Sequence, residues 1–296
     1  PVLFLWDAET WRDFYFRIAD EAEVDSVTIG EVVCSKRAHF IAPHLDAVVD
    51  RLQKAGKTVK LASLALVTLT REERSVRNLA DQSLEVEVND LSALPALEGR
   101  QFTAGPLINV YNAATAAFLR TRGASTICLP PELPLASIRE IATHTPDVTI
   151  EVFAFGRVPL ALSARCAHAR IKGNTKDNCQ FVCGEDPDGL PVETLDHQPF
   201  LVLNGIQTMS HTYQTMIGDM DALMDAGVGA LRLSPQKCDM VAVSSLHHEV
   251  LQGRISSTEG LEKLRGICSG VPLSNGFLHG GAGADLIRAA ETYVQS

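Results

Sequence analysis

Three cysteines crowd together as C-x12-C-x3-C at Cys166, Cys179 and Cys183, and a fourth, Cys34, stands alone far upstream. Thiolates at this density select iron-sulfur clusters, zinc or Cu(I), because soft sulfur donors match soft and borderline metals. The triplet supplies three corners of a tetrahedral set, and Cys34 is the candidate for the fourth. Cys179 closes the polar run Asn174-Thr175-Lys176-Asp177-Asn178, a setting where core cysteines do not usually gather. A structural zinc held by four thiolates would stabilise such a loop as well as a cluster would. Arg165, Arg170, Lys172 and Arg37 stand close in sequence and favour a cluster, whose potential depends on local charge and on hydrogen bonds to sulfur.

The other candidates carry less. Cys128, Cys238 and Cys268 read as small core residues. His168 offers a ligand two residues after Cys166 but reads as exposed or capping, and His247-His248-Glu249 lacks the i, i+4 zincin spacing and reads as a helix surface. Gly280, Gly281 and Gly283 precede a helix expected near Ala284, whose N–H groups would be open to an anion. Asp7 and Glu31 each end a strand on the expected active face, as would Glu151 if its strand ended early, and there capping or loop structure competes with general-base work. No Ser-His-Asp assembly stands out, and no catalytic residue is assigned.

The elements that must position these residues alternate between strand-like runs and amphipathic helices. Val2 to Trp6, Val24 to Gly30, Val59 to Leu66, Leu84 to Val88, Phe102 to Leu107, Ser125 to Leu129 and Val148 to Phe153 read as strands. Asp7 caps one helix, Pro43 opens another that ends at Gly56, Thr70 with Glu73 forms a capping box, and Asn112 caps a helix ended by Gly123. Another helix begins near Leu135. Beyond the cysteine segment come a strand at Phe200 to Leu203 and a helix carrying Tyr213, Met216, Ile217, Met220 and Leu223. A last strand follows at Leu231 and Leu233. Eight or nine strands, most followed by a helix, predict a single (β/α)8 TIM-like barrel over residues 1–296, with an open doubly wound sheet as its rival. Residues from about 167 to 199 form an insertion on its C-terminal face carrying two of the cysteines. In a barrel, Cys34 and the triplet share that loop-bearing face.

At 296 residues, 46% hydrophobic and 21% charged, the composition is that of a globular protein. No run of about 18 apolar residues predicts a transmembrane segment, and residues 1–22 mix apolar with charged positions, so a signal peptide is not expected. The cytosol is the default compartment, where an odd seven cysteines read as thiols or ligands rather than bridges. Pro1 falls inside a strand-like run, as though a short stretch preceded it. A net charge of -10 makes nucleic acid an unfavoured partner.

Three segments form a more specific pattern: Gly30-Glu31-Val32-Val33-Cys34-Ser35-Lys36-Arg37; Glu151-Val152-Phe153-Ala154-Phe155-Gly156-Arg157 with Ser163-Ala164-Arg165-Cys166; and Asn204-Gly205-Ile206-Gln207-Thr208. The chain resembles the oxygen-independent ubiquinone-biosynthesis proteins of the collagenase-like peptidase family, a likeness that extends to Asn275-Gly276-Phe277-Leu278-His279-Gly280. The resemblance implies a 4Fe-4S cluster on Cys34, Cys166, Cys179 and Cys183 in a cytoplasmic bacterial protein. It implies a heterodimer with a UbiU-like homologous iron-sulfur protein, helped by a UbiT-like lipid-binding accessory protein, in anaerobic hydroxylation of ubiquinone precursors. Peptidase-type members continue after Gly156 with a small residue, an aliphatic residue and Cys. Here Arg157-Val158-Pro159 follows, which argues against peptidase activity. An RNA-base hydroxylating enzyme of the same family and a zinc-binding or peptidase-like module are the alternatives.

Overall fold

The computed structural model describes residues 1–268 and 270–287. Asp7 accepts the Thr10 N–H at 2.9 Å and starts α1 (Ala8–Glu21), which buries Trp11, Tyr15, Ile18 and Ala19 along one stripe. There follow β1 (Ser26–Ile29), α2 (Ala38–Ile41), α3 (Leu45–Lys54), β2 (Thr58–Ala62), α4 (Thr70–Ala80) and β3 (Glu85–Val88). Next come β4 (Phe102–Ala104), α5 (Ala113–Thr121), β5 (Ala124–Cys128), α6 (Leu135–His144), β6 (Thr149–Gly156), β7 (Pro159–Leu162) and α7 (Ala167–Ile171). Then come β8 (Leu190–Glu193), β9 (Pro199–Asn204), β10 (Gln207–Ser210), β11 (Tyr213–Thr215) and α8 (Met220–Asp225). The last described elements are β12 (Ala230–Leu233), α9 (Met240–Leu251), α10 (Ser257–Ile267) and β13 (Leu273–Ser274).

These elements form a mixed α/β fold with two compact units, each built from separated stretches of chain. The first takes Pro1–Leu97, Pro159–His211 and Pro235–Lys237. In it β1, β2 and β3 pair in parallel, while β7, β10, β9 and β8 make a separate antiparallel sheet in that order. Val27, Ile29, Val59, Leu61 and Val86 are buried, as expected of parallel strands that helices cover. The expected strand at Val2 to Trp6 does not form a ladder. Its residues are buried, but the Leu3 carbonyl is taken by two side chains, Arg37 Nη1 at 2.9 Å and Asn204 Nδ2 at 2.7 Å, and the Val2 N–H goes to Tyr15 Oη at 3.0 Å. An apolar run signals burial, and here side chains satisfy the backbone that a sheet would otherwise pair.

The second unit holds Glu98–Val158, Thr212–Ser234 and the chain from Cys238. β4, β5 and β6 pair in parallel, β12 adds to β6 in parallel, and β11 lies antiparallel to β6 and parallel to β13. Asn112 caps α5 by accepting the Thr115 N–H at 2.9 Å, and Gly123 follows the helix with φ 107°, both as expected. The helix expected to carry Tyr213 through Leu223 splits into β11 and the short α8. Tyr213, Met216, Ile217, Met220 and Leu223 are all buried, so their spacing reported burial without fixing the backbone. Gln214 Nε2 donates to Phe153 O at 2.7 Å and locks the strand alternative. The antiparallel β11 and the separate four-stranded sheet depart from a uniform eightfold repeat. The segment from 167 to 199 is not irregular throughout: it carries α7, a 3-10 turn at Val182–Gly184 and β8.

Candidate metal centre

Cys34 lies just after β1, on a loop fixed from both sides. Gly30 turns the chain with φ 115°, where a Cβ would come 3.1 Å from Ala62 O. Glu31 Oε1 then accepts the backbone N–H groups of Val33 at 2.7 Å and Cys34 at 2.9 Å. On the far side Ser35 Oγ donates to Glu72 Oε1 at 2.7 Å, and Glu72 also accepts the N–H groups of Thr68 at 2.8 Å and Leu69 at 3.1 Å. The capping box of α4 therefore uses Glu72, one residue before the expected Glu73.

The other three cysteines come from α7 and the loop after it. Cys166 caps α7, its Sγ accepting the Ala169 N–H at 3.4 Å. Between Cys179 and Cys183, Gln180 (φ 49°) and Phe181 (φ 53°) both adopt the left-handed conformation, at a cost of about 1–2 kcal/mol each. The Phe181 ring meets Phe40 edge-on, centroids 4.9 Å apart, and this packing opposes the strain. Cys34, Cys166, Cys179 and Cys183 line one small cavity, open in part to solvent, with Lys36, Arg37, Lys176 and Phe181 also in its wall. All of these residues belong to the first unit.

Burial pushes the Cys34, Cys166 and Cys183 thiols above their ordinary pKa, and the nearby Arg37 charge draws each back. Cys166 feels Cys34 and Cys179, and Cys183 feels Cys166 and Cys179, so the four thiols form one electrostatic group. Arg37 is 2% exposed. Its guanidinium donates to Leu3 O at 2.9 Å and to Asn204 Oδ1 at 3.0 Å, and it shares the cavity wall with Cys183. Among the described residues no three His, Cys, Asp or Glu side chains converge on a single-ion position. The chemistry of the donor set nevertheless fits a larger group: four soft donors line one cavity, and the cationic side chains Lys36, Arg37 and Lys176 in its wall suit the negative charge of thiolates.

Several sequence expectations are revised by their surroundings. His168 is neither exposed nor a cap: its side chain is fully buried, with Nε2 2.9 Å from Asp186 Oδ2, and it does not line the cavity. Of Arg37, Arg165, Arg170 and Lys172, only Arg37 reaches the cavity; Lys172 pairs with Glu185 and Asp186, at 3.0 and 3.3 Å. Lys36 and Lys176, which sequence reasoning passed over, are brought there by the Lys36 Nζ bond to Lys176 O at 2.6 Å. Asp7 is a helix cap and Glu31 a buttress of the Cys34 loop. Glu151 does not end its strand, because β6 continues to Gly156 and Glu151 pairs with Arg232. Cys128 and Cys268 are buried as expected; Cys238 is half-buried, its thiol donating to Met240 Sδ at 3.7 Å. Among residues 280–287 no helix begins, and the rest of the helix expected there lies outside the described residues.

His247 faces the interior of the second unit, not a helix surface. Its Nδ1 donates to Val243 O at 2.8 Å, and burial pushes its pKa down to about 4 from 6.5. The unfolded chain then takes up a proton near pH 6.5 that the native chain refuses until about pH 4. Stability is full above the unfolded value and declines as the pH falls through this window. Between pH 7 and pH 5 this group should remove about 2 kcal/mol. Urea melts at the two pH values should show that loss shrinking in His247→Leu; an equal loss in both proteins would refute the assignment.

The profile of peptidase family U32 matches residues 12–287. The chain belongs to peptidase family U32. This U32 chain is also 40% identical over 77 residues to the tRNA hydroxylation protein P of Escherichia coli (strain K12). That match takes in 25% of the chain and 16% of the relative's length, so it spans a small part of that protein. Among solved structures it is similar to the U32 peptidase Mk0906, with a TM-score of 0.42 and 13% identity over 73% of this chain and 86% of the other. No described helix of the U32 chain is long and apolar enough to cross a membrane.

Proposed function

We propose that this U32 chain is a cytoplasmic iron-sulfur protein, with a 4Fe-4S cluster on Cys34, Cys166, Cys179 and Cys183. In this reading it acts with a UbiU-like homologous partner and a UbiT-like lipid-binding protein in hydroxylation of ubiquinone precursors without dioxygen. The observation that supports the cofactor is the meeting of four thiols, from widely separated stretches of sequence, on one cavity beside a buried arginine. When bound, such a cluster carries single electrons. The chain's own part is to hold the thiols: Glu31 and Glu72 fix the loop of Cys34, α7 fixes Cys166, and the Phe40–Phe181 contact fixes the turn between Cys179 and Cys183. The closed (β/α)8 barrel, with 167–199 as its insertion, belongs to the same proposal; parallel runs within each unit favour it.

A second reading draws on the relative named for tRNA hydroxylation: the same cysteine site would serve an RNA base. The net charge of -10 opposes it, since neutralising phosphates requires a basic face. Profiling cells grown without oxygen separates the two. Cells whose only copy carries Cys166→Ala should accumulate under-hydroxylated quinone precursors, with RNA modification intact. Intact quinones with a missing base hydroxylation would select the RNA reading, and no change in either would sink both.

A further inference from the structure

We propose that Arg37 is a positioning residue for the metal centre, whose fixed positive charge, held in the wall of the four-cysteine cavity, raises the centre's reduction potential. The inference rests on the iron-sulfur reading above. A guanidinium this deeply buried is costly unless its donors are used, and here they are spent in several directions. One arm is held by Leu3 O and another by Asn204 Oδ1, beside the four cysteines of the cavity.

The surroundings leave little freedom in that aim. Gly205 has φ 61°, and a Cβ there would stand 2.5 Å from Arg37 Nη2. Asn204 supplies the acceptor and Gly205 the clearance, so the Asn204-Gly205 turn works as a cradle for the guanidinium. Glu31 is the nearby acid, and its Oε1 is occupied by the backbone N–H groups of Val33 at 2.7 Å and Cys34 at 2.9 Å. Lys36 and Lys176 stand farther out, held by Lys176 O and by Ala164 O. Adding an electron to a thiolate-bound cluster adds negative charge, and a cation held nearby stabilises that state more than the oxidised one.

The test is a redox titration, followed by electron paramagnetic resonance, of the anaerobically purified full chain beside Arg37→Lys and Gly205→Ala. The lysine keeps the charge and loses the planar fork, while the alanine keeps the arginine and displaces it. Both midpoints should shift below that of the unaltered chain, at unchanged iron content. An unchanged midpoint in either variant that retains its iron would overturn the proposal. Loss of iron from both would overturn it too, leaving Arg37 as part of the site's construction. An unaltered chain without a cluster would instead defeat the iron-sulfur reading itself.

Discussion

Cys179→Ala should bleach the anaerobically purified protein, while Cys268→Ala should leave its colour and metal content intact. Cys179 stands in the cavity wall at the head of the strained Gln180-Phe181 turn, and no neighbouring His, Asp or Glu lines the cavity to replace it. Cys268 is equally a thiol but lies at the end of α10 against Cys238, in the other unit. The unaltered chain should carry about four iron and four sulfide, as a cluster on four cysteines requires. The variant should retain less than about a tenth of either if the missing ligand is essential. Metal and sulfide analysis decides the matter. Full retention in both variants would refute the ligand set, and a colourless chain with one zinc would transfer it to a structural site.

The second large effect concerns stability. Asn204→Leu should destabilise the first unit by about 3–5 kcal/mol, because it strands a buried cation and removes one of two donors to a buried carbonyl. Asn204 Oδ1 accepts from Arg37 at 3.0 Å, and its Nδ2 donates to Leu3 O at 2.7 Å. Leucine keeps the asparagine's branching, with more bulk, but offers neither group. Urea unfolding followed by circular dichroism would measure the cost, and Phe200→Leu on the same strand, at a half-exposed ring, should cost under about 1 kcal/mol. Equal losses in the two variants would show that packing, not the polar triad, dominates.

The parts of this architecture that were legible in sequence are those fixed by local pattern. Asp7 and Asn112 declared their helices because a cap needs only a side-chain oxygen and the N–H three residues on. The four cysteines declared themselves by type and spacing. What failed were inferences that required a partner distant in sequence. Val2 to Trp6 had the apolar content of a strand, but whether a ladder or two side chains would satisfy Leu3 depended on residues 34 and 201 positions away. Tyr213 to Leu223 matched a helical period, yet β6 offered an edge that the segment could join as β11. His168 carried no local mark of its buried pairing with Asp186, 18 residues on. Arg37 was picked out as one basic residue among several, and nothing in its neighbourhood announced Asn204 as its counterpart.

The clasp of Arg37 on Asn204 also dictates an order of events at the ribosome. The two residues are 167 positions apart, so at 5–20 residues per second their emergence is separated by roughly 10–30 s. For most of that interval Cys34 has been made while neither the cradle that aims Arg37 nor the other three thiols exist. Whatever the four sulfurs hold is therefore delivered only after Cys183 has been made, 149 residues behind Cys34, and the early cysteine must be kept reduced while the rest of its site is still being translated.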